Sequence, residues 1–241
     1  YAAQIEEEEL YLRTVINAAN RDAALQRARA TSRLLAQSGF GSVGEGLQIQ
    51  YALNSAGLNA DASAAATPLV AQVAKITRGV PEQVAEILAG TFSNMGALME
   101  GTDPEKLLRI AELLTKTQYK FQLRDFGQLG DGLSYAAASA AGAKIPIEQV
   151  ATVIGTLNSS QVMGSRAGTA FAAVERNLTK ASKELGFEIV RLSNGQMDFI
   201  ATLGEIEGAL AAYDTLDERN DAIQKLFGDE GKAGLIPLLQ K

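Results

Sequence analysis

Carboxylates are the most plentiful side chains in this chain that could do acid–base work, and their placement argues against it. There is no His and no Cys among 241 residues. That removes Ser-His and Cys-His nucleophiles, disulfides, and most zinc and haem ligand sets. Glu205 and Glu207 are two apart and project from different faces of a helix. Asp217, Glu218 and Asp221 cluster where a helix starts, so capping and the macrodipole account for them. Glu82, Glu112 and Glu148 are scattered. A glycosidase pair can be assembled from distant positions, but no spacing here singles one out. Gly39-Phe40-Gly41-Ser42-Val43-Gly44 fits G-x-G-x-x-G, and Asp61 lies about 20 residues on. That fingerprint needs a buried strand before it, whereas Thr31–Gln37 reads as helix. A glycine C-cap and connection is the better reading. Asn158-Ser159-Ser160 and Asn177-Leu178-Thr179 fit the glycosylation acceptor pattern, which carries no weight without a secretory signal. Neither Ser-x-x-Lys nor a Walker sequence occurs. The expectation is therefore no catalytic residue, no cofactor and no metal.

The elements that would position any such residues are helical. Apolar residues make up 46% of the chain and aromatics 6%, with no Trp, so a core must be built from Ala, Leu, Ile and Val. The net charge of −6 makes nucleic acid a poor primary partner, because duplex binding calls for a basic face. No apolar run approaches the roughly 20 residues of a spanning helix; Tyr135–Ala143 is the longest, and it is Ala-rich. No signal peptide opens the chain. It starts at Tyr1 without Met and stops at Leu239-Gln240-Lys241, which reads as a piece of something longer.

The spacing predicts an all-α fold, an irregular multi-helix domain with a long N-terminal helix over 4–38. Glu6–Glu9 would complement the start of that helix, and Arg21, Arg27, Arg29 and Arg33 its later turns. Further helices are expected over Leu47–Ala56, from a cap at Asp61 to about Arg78, and over Glu82–Gly90 behind Pro81. Asn94–Gly101 reads as a linker, and Asp103-Pro104-Glu105 as a strong helix start. Helices then fit 125–141, 146–159, 165–184, 198–213, 217–227 and 231–240. Asn194-Gly195 is a hairpin signal, so at most one short β-hairpin is expected near 188–197. Two echoes occur. Glu82-Gln83-Val84-Ala85 recurs as Glu148-Gln149-Val150-Ala151, each near a Pro (Pro81, Pro146). Gly44-Glu45-Gly46-Leu47 recurs as Gly130-Asp131-Gly132-Leu133. The two pairs do not share one period, so a solenoid is not supported; two related helical units and chance similarity both stay open.

Met163-Gly164-Ser165-Arg166-Ala167-Gly168-Thr169-Ala170-Phe171 is the most informative stretch. Gly164 frees the backbone, and Ser165 is the expected N-cap. Ala167, Gly168, Ala170, Ala172 and Ala173 leave a smooth surface for another helix, with Thr169 and Phe171 on different sides. Leu185-Gly186-Phe187 and Asn194-Gly195 read as turns. Phe227 should anchor the run Ala222, Ile223 and Leu226 in the core. Gly228 should be a left-handed C′ residue, with Asp229 capping a final helix that carries Leu235, Ile236, Leu238 and Leu239.

This ordered set resembles the central conserved domain of the phage tail tape measure protein family. The matching residues are Leu133-Ser134-Tyr135-Ala136-Ala137 with Gly142, then Ile147-Glu148-Gln149-Val150, Gly164–Ala170, Leu185-Gly186-Phe187, Asn194-Gly195, and Leu226-Phe227-Gly228 with Leu235, Leu238 and Leu239. Order and spacing hold over 125–240. The match is looser over 60–124, and the first sixty residues match only in composition, which suggests a weakly matching N-terminal segment, 1–60, ahead of a tape-measure-like domain, 61–241. Gln161 departs from the pattern, standing where a Gly is common.

The resemblance implies a structural protein of a phage or prophage tail, not an enzyme, that runs along the tail lumen, sets tail length and takes part in genome ejection. It implies tail-tube, tail-initiator or baseplate, and tail-assembly chaperone proteins as partners, and a homo-oligomer in the tail. It places the protein in the virion, and in the host cytoplasm during assembly, with membrane contact only at ejection. The alternatives are a muralytic module, a membrane-active module, and a generic helical oligomerisation domain.

Overall fold

A computed structural model describes residues 2–240. It is all-α, 77% helical, with no sheet among the described residues. The elements are α1 (Ala2–Val15), α2 (Arg21–Gln37), α3 (Val43–Ser55), α4 (Ala60–Thr77), α5 (Pro81–Met95), a 3₁₀ turn (Gly96–Leu98), α6 (Asp103–Lys120), α7 (Phe126–Gly142), α8 (Ile147–Ser159), α9 (Ser165–Leu185), α10 (Phe199–Leu210) and α11 (Leu216–Leu239). They form two compact units. One takes in the chain up to Lys116 together with Asp125–Gly127, the other Thr117–Arg124 and the chain from Gln128 onward. The boundary drawn near residue 60 by the strength of the family resemblance falls between α3 and α4, which pack together in the first unit.

The first unit is organised on α3, which receives α1, α2, α4 and α5. The single long helix expected over 4–38 is in fact two. Asn20 has extended backbone and its side chain accepts from Ala23 N at 3.0 Å, an N-cap that restarts the chain as α2. The break has a packing cause. Leu12, Ile16, Ala24, Leu25, Ala28 and Leu47 form one buried cluster, and α1 and α2 both pack on α3, which one straight helix could not do. Glu6–Glu9 also lie beyond the first turn of α1, out of the macrodipole's reach. Local partners hold three of them instead: Glu7 accepts from Tyr11 at 2.9 Å, Glu8 from Gln48 at 2.7 Å, and Glu9 from Arg29.

Three expected helix starts are corrected in the same unit. Ser42 and Glu45 form a capping box, so α3 begins before Leu47. Asn59 rather than Asp61 caps α4, and Asp61 pairs with Arg27 at 2.9 Å. Thr102, not Asp103, precedes α6: its N–H and hydroxyl both donate to Glu105 Oε2, at 2.7 and 2.8 Å. Pro81 is the first residue of α5, as its fixed φ favours, and the helix runs to Met95, past Gly90 and into the expected linker.

In the second unit α9 is the central element, packed by α8, α10 and, over its greatest length, α11. The Asn194-Gly195 segment is a turn closed by one antiparallel bridge, Arg191 with Met197. Gly195 N–H donates to Leu192 O at 2.9 Å, Leu192 N–H to Gln196 O at 2.8 Å, and Gly195 has φ 81°. Asn194 has no positive φ, so the connection is a three-residue loop with its left-handed residue at Gly195, not a two-residue Asn-Gly turn.

Candidate functional site

The small-residue stretch of α9 lies against neighbours on two sides. Toward α7, a Cβ on Gly168 would overlap the Gly132 carbonyl oxygen and come within 2.6 Å of Tyr135 Cβ. A Cβ on Gly132 would meet the side chain of Ile154 on α8, 2.6 Å from its Cγ2, and lie 3.2 Å from Gly164 O. At Gly168 only hydrogen fits against the Gly132 carbonyl, so α7 and α9 cross with their backbones nearly touching. Ser139 of α7 donates to Glu175 of α9 beyond the crossing. Toward α11, a Cβ on Gly234 would stand 2.8 Å from Ala170 Cβ, and one on Gly231 would lie 3.7 Å from the Ala173 carbonyl carbon. Ala167, Gly168, Ala170, Ala173 and Val174 are all buried, and Thr169 is half-buried. Phe171 is buried too, its ring centroid 5.0 Å from that of Phe199.

The start of α9 is built from the end of α8. Asn158 is 3% exposed. Its amide donates to Ile154 O at 2.8 Å, and its oxygen accepts from Gly164 N–H at 3.1 Å. Gly164 has φ 59° and ψ −136° and is itself the N-cap; Ser165, the expected cap, is the first helical residue and its side chain caps nothing. The tertiary contact decides this. The Asn158 clamp holds Gly164 in a conformation that costs only glycine little, and the helix begins one residue earlier than a Ser cap would allow. Gln161, between them, has φ 69°, so the position where the family pattern favours Gly needs a left-handed backbone.

The remaining motif residues close this unit. Leu185 ends α9, and Gly186 follows with φ 77° and ψ 19°, its N–H donating to Ser182 O at 2.9 Å. The Ser182 hydroxyl reaches Phe187 O at 2.6 Å, which seats the buried Phe187. Ile223, Leu226 and Phe227 are buried. Gly228 has φ 72° but ψ −176°, so it is not the left-handed C′ residue expected. The backbone leaves helical geometry there, so Leu216–Leu239 is two helices meeting at a kink, as anticipated. Gln224 donates to Asp229 across that kink.

The geometry joins Gly164, Ala167, Gly168 and Thr169 with Gly132, Asn158, Gly231 and Gly234. The last four were not singled out by the sequence for this role. The Gly231/Gly234 spacing is the one local signal that could have found two of them. A depression of about 510 Å³ beside Asn158 is lined by Phe121, Gln122, Arg124, Gln128, Gln161 and Met163 among others. It offers one charged group and no acid–base pair. Titrations depart from their ordinary values at structural pairs elsewhere. The Glu7 hydrogen bond raises Tyr11, the Glu9 hydrogen bond raises Arg29, and the Thr102 N–H, followed by its hydroxyl, lowers Glu105. Among the described residues no group of three or more His, Cys, Asp or Glu side chains could hold a metal ion, and no helix is long and apolar enough to cross a membrane.

A face of glycine and alanine holds these helices at backbone distance, and the comparisons give the class of protein. The family model for phage-related minor tail proteins matches residues 23–228, and the chain belongs to that family. Within it, the chain is similar to the probable tape measure protein of Escherichia phage P2, with 28% identity over 236 residues, 95% of this chain. The same alignment takes in 28% of that relative, so the chain spans little more than a quarter of its length. No solved structure matches the chain.

Proposed function

We propose that this chain is the folded helical body of a tape measure protein, acting in tail assembly and tail-length determination and travelling with the tail contents at ejection. The similarity to the phage P2 protein along 95% of the chain carries the reading. The close-packed junction of α7, α9 and α11 supports it, because its α9 side is the Gly164–Ala170 stretch on which the family resemblance rests. The role is structural, not catalytic, and needs no cofactor. The partners are the tail tube, the initiator or baseplate, the tail-assembly chaperones and further copies of the chain. The place of action is the tail lumen, after assembly in the host cytoplasm. Nucleic acid is not a primary partner, and a membrane is met only at ejection.

The test uses the parent phage. Gly168→Leu in the full-length protein should leave particles with no tails or with tails of uncontrolled length, scored by electron microscopy. Normal numbers of tails at normal length, in a variant whose unfolding is confirmed in the purified chain, would overturn the proposal. A peptidoglycan zymogram tests the muralytic alternative. A clearing band that disappears on replacing Glu82, Glu112 or Glu148 would establish an enzyme instead.

A further inference from the structure

Among the described residues four side-chain-bearing positions hold a left-handed backbone, and each stands at a helix end: Arg78, Gln122, Lys144 and Gln161, at φ 57°, 53°, 56° and 69°. The ends of α2, α3 and α9 use Gly39, Gly57 and Gly186 instead, the residue that adopts this conformation at little cost. Arg78 and Lys144 have a local compensation, because a cation at a helix C-terminus complements the macrodipole. Glutamine carries no charge, so Gln122 and Gln161 have none of that kind. Their helices close alike, Leu123 N–H donating to Gln118 O and Val162 N–H to Leu157 O, each at 2.9 Å. Both glutamines are exposed, so core packing does not account for them either.

The two glutamines come together on one feature. Both line the depression of about 510 Å³, and every residue lining it belongs to the second unit. The end of α6 and the connection after it supply one wall, the end of α8 the other, and Gln128 of α7 stands between. Asn158 is a fixed part of the α8 wall, its amide and its oxygen both bonded to backbone.

The lining has a definite chemistry. Gln122, Gln128 and Gln161 each offer a planar amide with donor and acceptor side by side. Arg124 is the one charged group, and no carboxylate lines the cavity to answer it. The Phe121 ring is already covered: Lys120 Nζ lies 5.3 Å from its centroid, and a Cβ on Gly155 of α8 would overlap its Cδ2. No open ring is left on which a sugar or a base could stack. A peptide bond is the complement of a side-chain amide, one N–H and one C=O per residue. A carboxylate is the complement of a guanidinium, which meets it with two parallel N–H donors. The volume lies in the range that holds a small ligand.

We propose that this cavity binds a short acidic peptide segment. Gln122 and Gln161 pair with its backbone N–H and C=O groups, and Arg124 takes its carboxylate. The left-handed backbone at both helix ends then has a reason that neither charge nor packing supplies: it presents the two amides to the bound segment from opposite walls.

The whole chain, labelled with ¹⁵N, tests this by titration. The probes are N-acetyl-glycyl-glycine, with a terminal carboxylate, N-acetyl-aspartyl-glycinamide, with a side-chain carboxylate, the uncharged N-acetyl-glycyl-glycinamide, and N-acetylglucosamine. The side-chain amide signals of Gln122, Gln128 and Gln161 should shift saturably with an acidic peptide, and the better of the two shows which carboxylate the site reads. The uncharged peptide should bind about tenfold more weakly or worse, as loss of a charge-assisted hydrogen bond implies. Arg124→Gln, at an exposed position, should keep the fold and lose the same factor for the acidic peptide. Gln161→Gly separates ligand from fold: it should melt higher and bind severalfold more weakly. Absence of saturable shifts with both acidic peptides would overturn the proposal, as would equal affinity for the uncharged one or a preference for the sugar. So would a Gln161→Gly chain that binds like the parent, or one that melts lower, since the glutamine would then serve the fold.

Discussion

Gln161 holds a left-handed backbone at φ 69° with an exposed side chain, so its cost can be measured directly. An L-residue there gives up about 1–2 kcal/mol relative to right-handed geometry. Glycine escapes that cost but loses more freedom on folding. Gln161→Gly should therefore stabilise the chain by up to about 1 kcal/mol, read as a higher denaturant midpoint at unchanged m-value. A lower midpoint would mean that the Gln side chain contributes more than its backbone costs. Glu105 makes a second test at this scale. The Thr102 N–H and hydroxyl stabilise its ionised form. Its folded-state value lies below the unfolded one, so its contribution is present above the ordinary carboxylate range and is lost as pH falls through the lowered value. Carboxyl titration by NMR should show Glu105 titrating below the other exposed glutamates. Thr102→Val should move it only part of the way back, because the backbone N–H, the larger cause, remains.

The α7–α9 crossing should tolerate almost nothing. Gly168→Ala places one methyl on the Gly132 carbonyl oxygen, an atom that moves only if the helix moves. It should destabilise by about 1–3 kcal/mol or more, with Gly168→Leu worse, measured as a fall in Tm. An unchanged Tm would show that the helices part freely. The small residues of this crossing were legible as Ala167-Gly168-x-Ala170, because smoothness is a property of the sequence alone. The partner was not legible: Gly132 lies in another helix, and only the fold brings the two together. Helix ends divide in the same way. Gly186 and Pro81 act through their own backbone and were readable. The break at Ile16–Asn20 contains neither Gly nor Pro, and arises because two helices must share α3. Ser165 failed as a cap because Asn158 reached Gly164 first. Gln149 was visible only as part of an echo, since the α10 start it bonds, Asp198, Phe199 and Ile200, is far along the chain.

At the scale of the whole molecule, stability and assembly can be separated at Phe227. The ring is 2% exposed and stands one residue before the Gly228 kink, on the element that lays Gly231 and Gly234 against α9. If Phe227 serves the core, truncation removes the apolar contact that fixes where α11 bends. Phe227→Ala should then cost about 3–5 kcal/mol, with amide protection lost first along α11 and α9. In the phage, the same variant should fail to support tails in proportion to its instability, and growth at lower temperature should restore part of the yield. The opposite pattern is equally readable. A Phe227→Ala chain with an unchanged melting curve that still forms no tails at any temperature would make Phe227 a residue that meets a tail partner, and the kinked end of α11 an interface instead of a core closure.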